Sequence, residues 1–378
     1  MLNMDGTHQL RQGEIPSLNG IRAVSVLIVL LSHAGFERFV PGGLGVTIFF
    51  FLSGFLITTL LIREHARFGA IDIYAFYVRR FFRLMPPLLI TLAIAYGLTF
   101  AGILPGNITI EGVAAQLLYF ANYLEIFFQG SEKIPTGTGV LWSLAVEEHF
   151  YIVFPMLMSV AFVLGMRDRA KIAVAVLLCL AVLLWRFHLA YGLGVSESRT
   201  YYASDTRIDS IVYGCLLAFA INARRPDTRG DASLSRLEWG ALGAAGLLLA
   251  ATFLYRDPQF REVFRYSLQG IALIPVFYLA VYRSRSRVFR ILNTRPMVLL
   301  GIYSYSIYLI HRVIIVALAD NFPALQLQQY AFLLASTGLI LSIGFAAIVD
   351  RYVDSYFRKR RQDFHRPSLA ARREEVAV

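Results

Sequence analysis

The sequence predicts an all-α, polytopic integral membrane protein of about ten transmembrane helices with both termini cytoplasmic. Three observations carry this reading. The first is composition: of 378 residues, 57% are apolar and only 16% charged, with a mean hydropathy of +0.58, whereas soluble domains hold about 45–50% and about 25%. A soluble fold of this size has too little core to hide so much apolar surface, since its solvent-facing residues must be largely polar. Cytosolic enzymes, secreted disulfide scaffolds and disordered chains are excluded together. The second is a series of apolar runs of roughly 17–22 residues, long enough to cross about 30 Å of hydrocarbon as helix. They fall at 18–36, 42–62, 84–104, 141–165, 171–192, 206–222, 237–254, 267–282, 297–318 and 329–350. The third is charge asymmetry. With a cytoplasmic N-terminus, 27 of the 36 Lys and Arg fall in cytoplasmic segments and nine on the opposite side, a strong positive-inside bias. Both ends are basic, which favours an even number of spans. The net charge of +11 therefore reflects the lipid bilayer, and no nucleic-acid partner is expected.

Taken in order, the first run carries Arg22 near its start and no small-residue cleavage site after it, so it reads as a retained helix. Arg22 and His33 are eleven residues apart; eleven steps of 100° return to within about 20°, so both face one side roughly 16 Å apart along the axis. Ionisable groups inside a span cost several kcal/mol unless paired or hydrated, and the two can mark two depths of one polar pathway. The plain alternative is a snorkelling Arg and a His bonded to a carbonyl. The second helix contains Phe49-Phe50-Phe51-Leu52-Ser53-Gly54-Phe55, where small residues permit close helix packing and Ser53 can bond across helices. Before the third comes Arg79-Arg80-Phe81-Phe82-Arg83. Arg79 and Arg83 are i, i+4 and share a face at the cytoplasmic mouth, where guanidinium forks suit phosphate oxygens; simple positive-inside anchoring is the other reading.

The long external loop 105–140 includes the apolar stretch 111–129, interrupted by Asn122 and Glu125 and read as interfacial or re-entrant. The fourth helix opens with Trp142-Ser143 and carries Glu147-Glu148 near its outer end. The sixth opens with Asp205-Thr206-Arg207-Ile208-Asp209, its aspartates on one face near the positive helix end. Arg207 points away from them, so Glu147 or Glu148 is a candidate partner. The ninth carries Tyr303-Ser304-Tyr305-Ser306-Ile307-Tyr308-Leu309-Ile310-His311, and the tenth ends at Asp350. Residues 1–355 read as the membrane domain. Residues 356–378 read as a basic tail whose Arg358-Lys359-Arg360-Arg361 run anchors at lipid headgroups. Cys179 and Cys215 lie in apolar runs and make no disulfide framework. There is no P-loop, no Ser nucleophile elbow and no metal-ligand spacing.

Six of these motifs, in order and at comparable depths, resemble the acyltransferase family 3 of membrane O-acyltransferases. They are Arg22 with His33, the Phe49–Phe55 run, Arg79-Arg80-x-x-Arg83, Trp142-Ser143-Leu144-x-x-Glu147, Asp205-x-Arg207-x-Asp209 and Ser304-Tyr305-Ser306-Ile307-Tyr308-Leu309-x-His311. The resemblance covers residues 17 to about 350. It implies a ten-helix core that moves an acyl group, usually acetyl, from cytoplasmic acetyl-coenzyme A or another acyl-coenzyme A to a carbohydrate hydroxyl. Arg22 and His33 match the family's catalytic pair, and Arg79, Arg80 and Arg83 its basic motif. Some members carry a fused extracytoplasmic hydrolase-like domain that this sequence lacks, so transfer is expected to be completed by the membrane part or handed to another protein. Asp350 stands where a Glu is expected.

On that reading the cytoplasmic arginines hold the donor's phosphates while its slim pantetheine arm threads towards His33. A His of ordinary pKa about 6.5 can take the proton of a sugar hydroxyl, worth about 10²–10⁴-fold, and Ser53, Ser143 or an Arg can serve the oxyanion. Glu147, Glu148, Asp205 and Asp209 are expected around the acceptor entrance, with Arg207, Trp142, Ser143 and His311 also on the substrate side. His311 is placed towards the end of helix nine, and His149 and His188 near span edges, which leaves His33 as the buried base. The expected acceptor is an O-antigen, exopolysaccharide, lipo-oligosaccharide or similar glycan, at the bacterial inner membrane. An oligomer is compatible with the sequence. The competing class is a glycan transporter or flippase, in which Arg, Asp and His would line a translocation path; no inverted repeat supports it.

Overall fold

The computed structural model describes Ile15, residues 17–224 and residues 233–363. Among these, ten helices contain at least 14 residues, one for each apolar run. They are α1 (Leu18–Leu31), α2 (Gly42–Phe68), α3 (Ile73–Phe100), α4 (Trp142–Val163), α5 (Asp168–Phe187), α6 (Ser204–Arg224), α7 (Arg236–Leu254), α8 (Arg265–Tyr282), α9 (Arg295–Asn321) and α10 (Ala331–Val349). Eight are long and apolar enough to cross a membrane. The other two, α6 and α8, carry more polar residues: Asp205, Arg207 and Asp209 open α6, and Arg265, Ser267 and Gln269 open α8. Both lie inside the bundle, with Ile211, Ala218, Tyr266 and Phe277 buried, so their polar groups face protein instead of lipid. The protein is a polytopic, all-helical membrane protein.

Glycine sets the closest approaches. A Cβ on Gly54 would stand 1.9 Å from the Ile211 carbonyl oxygen, and one on Gly214 1.9 Å from that of Phe51. The α2 and α6 backbones therefore touch at the Ser53-Gly54 step, and any larger side chain would force them apart. A second such contact joins α1 to α9, where a Gly301 Cβ would lie 1.9 Å from the Asn19 carbonyl. These pairings bring the Arg22-bearing helix against the His311-bearing one.

Four features of the layout bear on the site. First, α3 begins at Ile73, eleven residues before the expected span, because the Asp72 side chain accepts from the Ala75 amide and caps it there. The Arg79–Arg83 motif is thus helical, inside α3. Second, the stretch 111–129 folds as two eight-residue helices, Ile110–Leu117 and Ala121–Phe128, each rising about 12 Å and too short to cross. Third, the following turn, Thr138–Leu141, dips into the bundle. Thr138, Val140 and Leu141 are buried, and Tyr308 donates its hydroxyl to the Val140 carbonyl at 3.0 Å. α4 consequently starts at depth. Fourth, α1 continues through a π turn at Ser32–Phe36, with Gly35 at φ 97°, and α10 continues through another at Asp350–Asp354 into Ser355–Asp363. Residues 1–14, 225–232 and 364–378, which hold some of the basic residues in the charge bias and most of the tail, lie outside the described residues.

Candidate active site

Two cavities of about 310 Å³ each open towards opposite ends of the bundle. One lies at the basic end, where α2 leads into α3 and α10 runs out. It is lined by Arg22, Arg80 and Arg83, by Ser53, Ser143 and Glu147, and by Tyr151, Tyr305 and Tyr308. The other is lined by His33, Glu37, Arg312, Asp320, Gln326 and Gln328.

The arginine motif divides its work. Arg79 pairs with Glu64 of α2 at 3.3 Å and is not part of the cavity lining. Arg80 and Arg83, three residues apart on one face of α3, both line it. Arg80 forms a fork with Glu148, Nε and the terminal nitrogen at 3.0 and 2.8 Å, and lies over the Tyr151 ring, 3.0 Å from its centroid. Arg83 makes no ion pair among the described residues and is solvent-exposed. Arg22 donates to the Asn19 side chain at 3.0 Å. Among the described residues Arg22 and Arg83 make no ion pair of their own, although Glu147 and Asp354 line the same cavity, which is large enough for a phosphate-bearing ligand. Asp350, whose role the sequence left open, accepts from Arg358 at 2.7 Å at the mouth.

Glu147 and Glu148 are not where the sequence reading put them. Because α4 starts at depth, both sit on the basic-end side. Ser53 donates to Glu147 at 2.8 Å, and Glu148 holds Arg80. Neither pairs with Arg207. Arg207 is fully buried and packs among the rings of Tyr266, Tyr201, Trp142 and Phe50, 3.8 to 5.5 Å from its guanidinium carbon. Among the described residues it donates one hydrogen bond, to the Tyr201 carbonyl at 3.1 Å, and Nε and the second terminal nitrogen find no partner.

The α6 aspartates take other partners. Asp205 accepts a two-pronged bond from Arg199, at 2.9 and 2.5 Å, and one from the Trp185 indole. Asp209 is fully buried with Arg186 at 2.6 Å. Asp205, Arg207, Asp209 and Trp142 line neither cavity. Their contacts run between helices: Asp205 with Trp185, Asp209 with Arg186, and Arg207 with Trp142. Ser53 and Ser143 do reach the basic-end cavity.

His311 also lies elsewhere than expected. It is fully buried in the middle of α9 instead of near an end, since that helix runs on to Asn321. Its Nε2 lies 2.9 Å from His33 Nδ1, with the two rings within 18° of parallel. His33 is partly exposed and lines the cavity opposite the arginines. Tyr308, named in the Ser304–His311 motif but given no role there, connects the two sides. Its ring is 5.7 Å from that of His311, its hydroxyl is 2.7 Å from Ser143 Oγ, and it lines the arginine cavity. The i, i+3 spacing of Tyr308 and His311 was the available signal. The thickness of a few side chains, His33, His311 and Tyr308, separates the two cavities.

The fold and site define a class: a polytopic membrane protein in which a cationic cavity and a histidine-lined cavity meet back to back. The profile of the acyltransferase 3 family, described as an acyltransferase domain, matches residues 15–351, and the chain belongs to that family. Among curated proteins it is 28% identical over 367 residues to the peptidoglycan O-acetyltransferase OatA of Listeria monocytogenes, covering 94% of this chain and 58% of that one. It is 29% identical over 357 residues to the O-acetyltransferase OatA of Staphylococcus aureus, covering 92% and 57%. A putative O-acetyltransferase of the same species is 27% identical over 352 residues, covering 91% and 57%. The chain therefore spans somewhat over half the length of these relatives. No solved structure matches it.

Proposed function

We propose that this protein is an O-acyltransferase that carries an acyl group, most simply acetyl, from cytoplasmic acyl-coenzyme A to a hydroxyl of a cell-surface or secreted carbohydrate. The carrying observation is the back-to-back arrangement of the two cavities, with His33 between a cationic chamber and a polar one. The family membership and the names of the relatives, O-acetyltransferases and in one case of peptidoglycan, support the same chemistry. The donor's phosphates rest against Arg83 and Arg22, and its thioester points along Tyr308 towards His33. The acceptor occupies the opposite cavity, where Glu37, Asp320, Gln326 and Gln328 offer hydrogen bonds of the kind sugar hydroxyls make. His33 takes the hydroxyl proton as the oxygen attacks the acyl carbon.

The donor side has a direct test. Purified protein given labelled acetyl-coenzyme A should transfer label to a glycan acceptor. Arg83→Ala should raise KM for the donor at least about tenfold with a smaller change in acceptor use, and Arg83→Lys should rescue only in part because it lacks the fork. Normal donor KM in Arg83→Ala would remove the phosphate reading.

The membrane orientation follows from the same layout. With ten spans in the plasma membrane and the basic end cytoplasmic, both termini are cytoplasmic. Reporter insertions after Ser131 and after Arg285 should read outside and inside respectively. The reverse pattern would put the arginine cavity on the wrong side for a cytoplasmic donor.

A further inference from the structure

The hydrogen bonds around His311 determine where the hydrogens of two rings sit. His311 Nδ1 lies 2.8 Å from the Tyr308 carbonyl oxygen and 3.2 Å from that of Ile307. A carbonyl oxygen only accepts, so Nδ1 carries the hydrogen, and in the neutral ring Nε2 is then bare. That bare nitrogen lies 2.9 Å from His33 Nδ1. Two bare nitrogens form no bond, so His33 Nδ1 must be the donor. His33 Nε2 is left unprotonated, on a residue that lines the cavity opposite the arginines. No other described residue bonds the His33 ring.

We infer that His311 is a positioning residue: anchored to the α9 backbone, it fixes the tautomer and ring plane of His33 so that Nε2 is the nitrogen that accepts the substrate proton. This rests on the reading of His33 as the base. A neutral imidazole in this role differs from a carboxylate. It adds no charge to the membrane interior, where an uncompensated ion is costly, yet it still accepts from Nδ1–H. When His33 becomes an imidazolium, that bond becomes charge-assisted and strengthens, so His311 favours the state in which the proton has moved. During transfer the new C–O bond forms and the C–S bond breaks. The hydroxyl proton passes to His33 Nε2 and then to the departing thiolate, and both rings end as they began.

The test reads the tautomer itself. The full chain in lipid nanodiscs, with ¹⁵N-labelled histidine, gives ring-nitrogen signals for its seven histidines; the set that disappears in His33→Asn belongs to His33. Wild type should show His33 protonated at Nδ1 and bare at Nε2. His311→Leu should lose that preference and lower kcat by about tenfold or more, with donor KM within about twofold. His311→Gln, whose amide oxygen can accept near the place of Nε2, should restore the Nδ1–H tautomer and most of kcat. A wild-type His33 protonated at Nε2, or an unchanged tautomer in His311→Leu, overturns the inference. The wild-type spectrum decides even where His311→Leu fails to fold. Failure of the base reading is a separate result, an active His33→Asn enzyme, and leaves the tautomer measurement standing.

Discussion

Replacing His33 with asparagine or glutamine is expected to lower acyl transfer by about 10²–10⁴-fold while leaving the protein inserted and folded. Asparagine is the sharper variant. Its amide nitrogen sits close to the place of Nδ1 and can still donate to His311 Nε2, so the contact of 2.9 Å between α1 and α9 survives. What it lacks is a basic nitrogen. His33 is only partly buried and sits in the π turn at Ser32–Phe36, so little packing is lost. Transfer of label from acetyl-coenzyme A to glycan should fall, while detergent extraction and thermal unfolding match wild type. Alanine should be no less active than glutamine, since the hydrogen bond alone does no chemistry. An asparagine variant within about threefold of wild type would falsify the proton-transfer role.

The largest expected effect on stability lies elsewhere, at Arg186 and Asp209. Arg186 reaches from the last turn of α5 into the bundle, where its side chain and that of Asp209 are both fully buried. It donates to Asp209 and Ser267 at 2.6 Å each, to the Thr206 carbonyl at 2.5 Å and to the Val263 carbonyl at 3.0 Å. One guanidinium therefore joins α5, α6, α8 and the connection before α8. Asp209 is satisfied in turn by Ser267 at 3.0 Å and by the Ser210 amide at 2.8 Å. Removing one partner of a buried pair leaves the other charge uncompensated, at a cost of about 3–5 kcal/mol. Asp209→Asn keeps the shape and removes only the charge, so it isolates this effect. Its unfolding midpoint in mild detergent should drop by several degrees, and Asp209→Leu should drop further. Replacing both residues with apolar side chains of similar volume should cost much less than the sum of the single changes. If Asp209→Asn is within about 0.5 kcal/mol of wild type, the pair is not a clamp between these helices.

The two predictions separate the roles that the α6 aspartates and His33 have in common on paper. In sequence, Asp209 and His33 are equally conspicuous, as ionisable residues in apolar runs. In the fold, His33 lines one of the two cavities described above and Asp209 lines neither. Acceptor affinity should therefore respond to Glu37 or Asp320, which line the cavity beside His33, and not to Asp209 except through folding.

Much of the protein's layout was legible in one dimension. A bilayer is a solvent with a fixed thickness, so a helix that crosses it needs a minimum apolar length, and each of the ten runs became a helix of at least 14 residues. The basic end was legible for a similar reason, because Lys and Arg gather on one side irrespective of how the helices pack. The family could be named from short motifs, since each keeps its order along the chain.

Depth and partnership were not legible, because both depend on packing between distant segments. The turn Thr138–Leu141 sinks into the bundle to meet Tyr308, 168 positions from Val140, and the helix that follows it places Glu147 and Glu148 on the arginine side of the molecule. Arg80 finds Glu148 across 68 positions and His33 finds His311 across 278. Helical periodicity tells which residues share a face of one helix; it does not tell which face of another helix lies opposite. That was decided where glycines 54, 214 and 301 let backbones touch, and those contacts fixed which buried charges are neutralised in pairs and which side chains are left to meet a substrate.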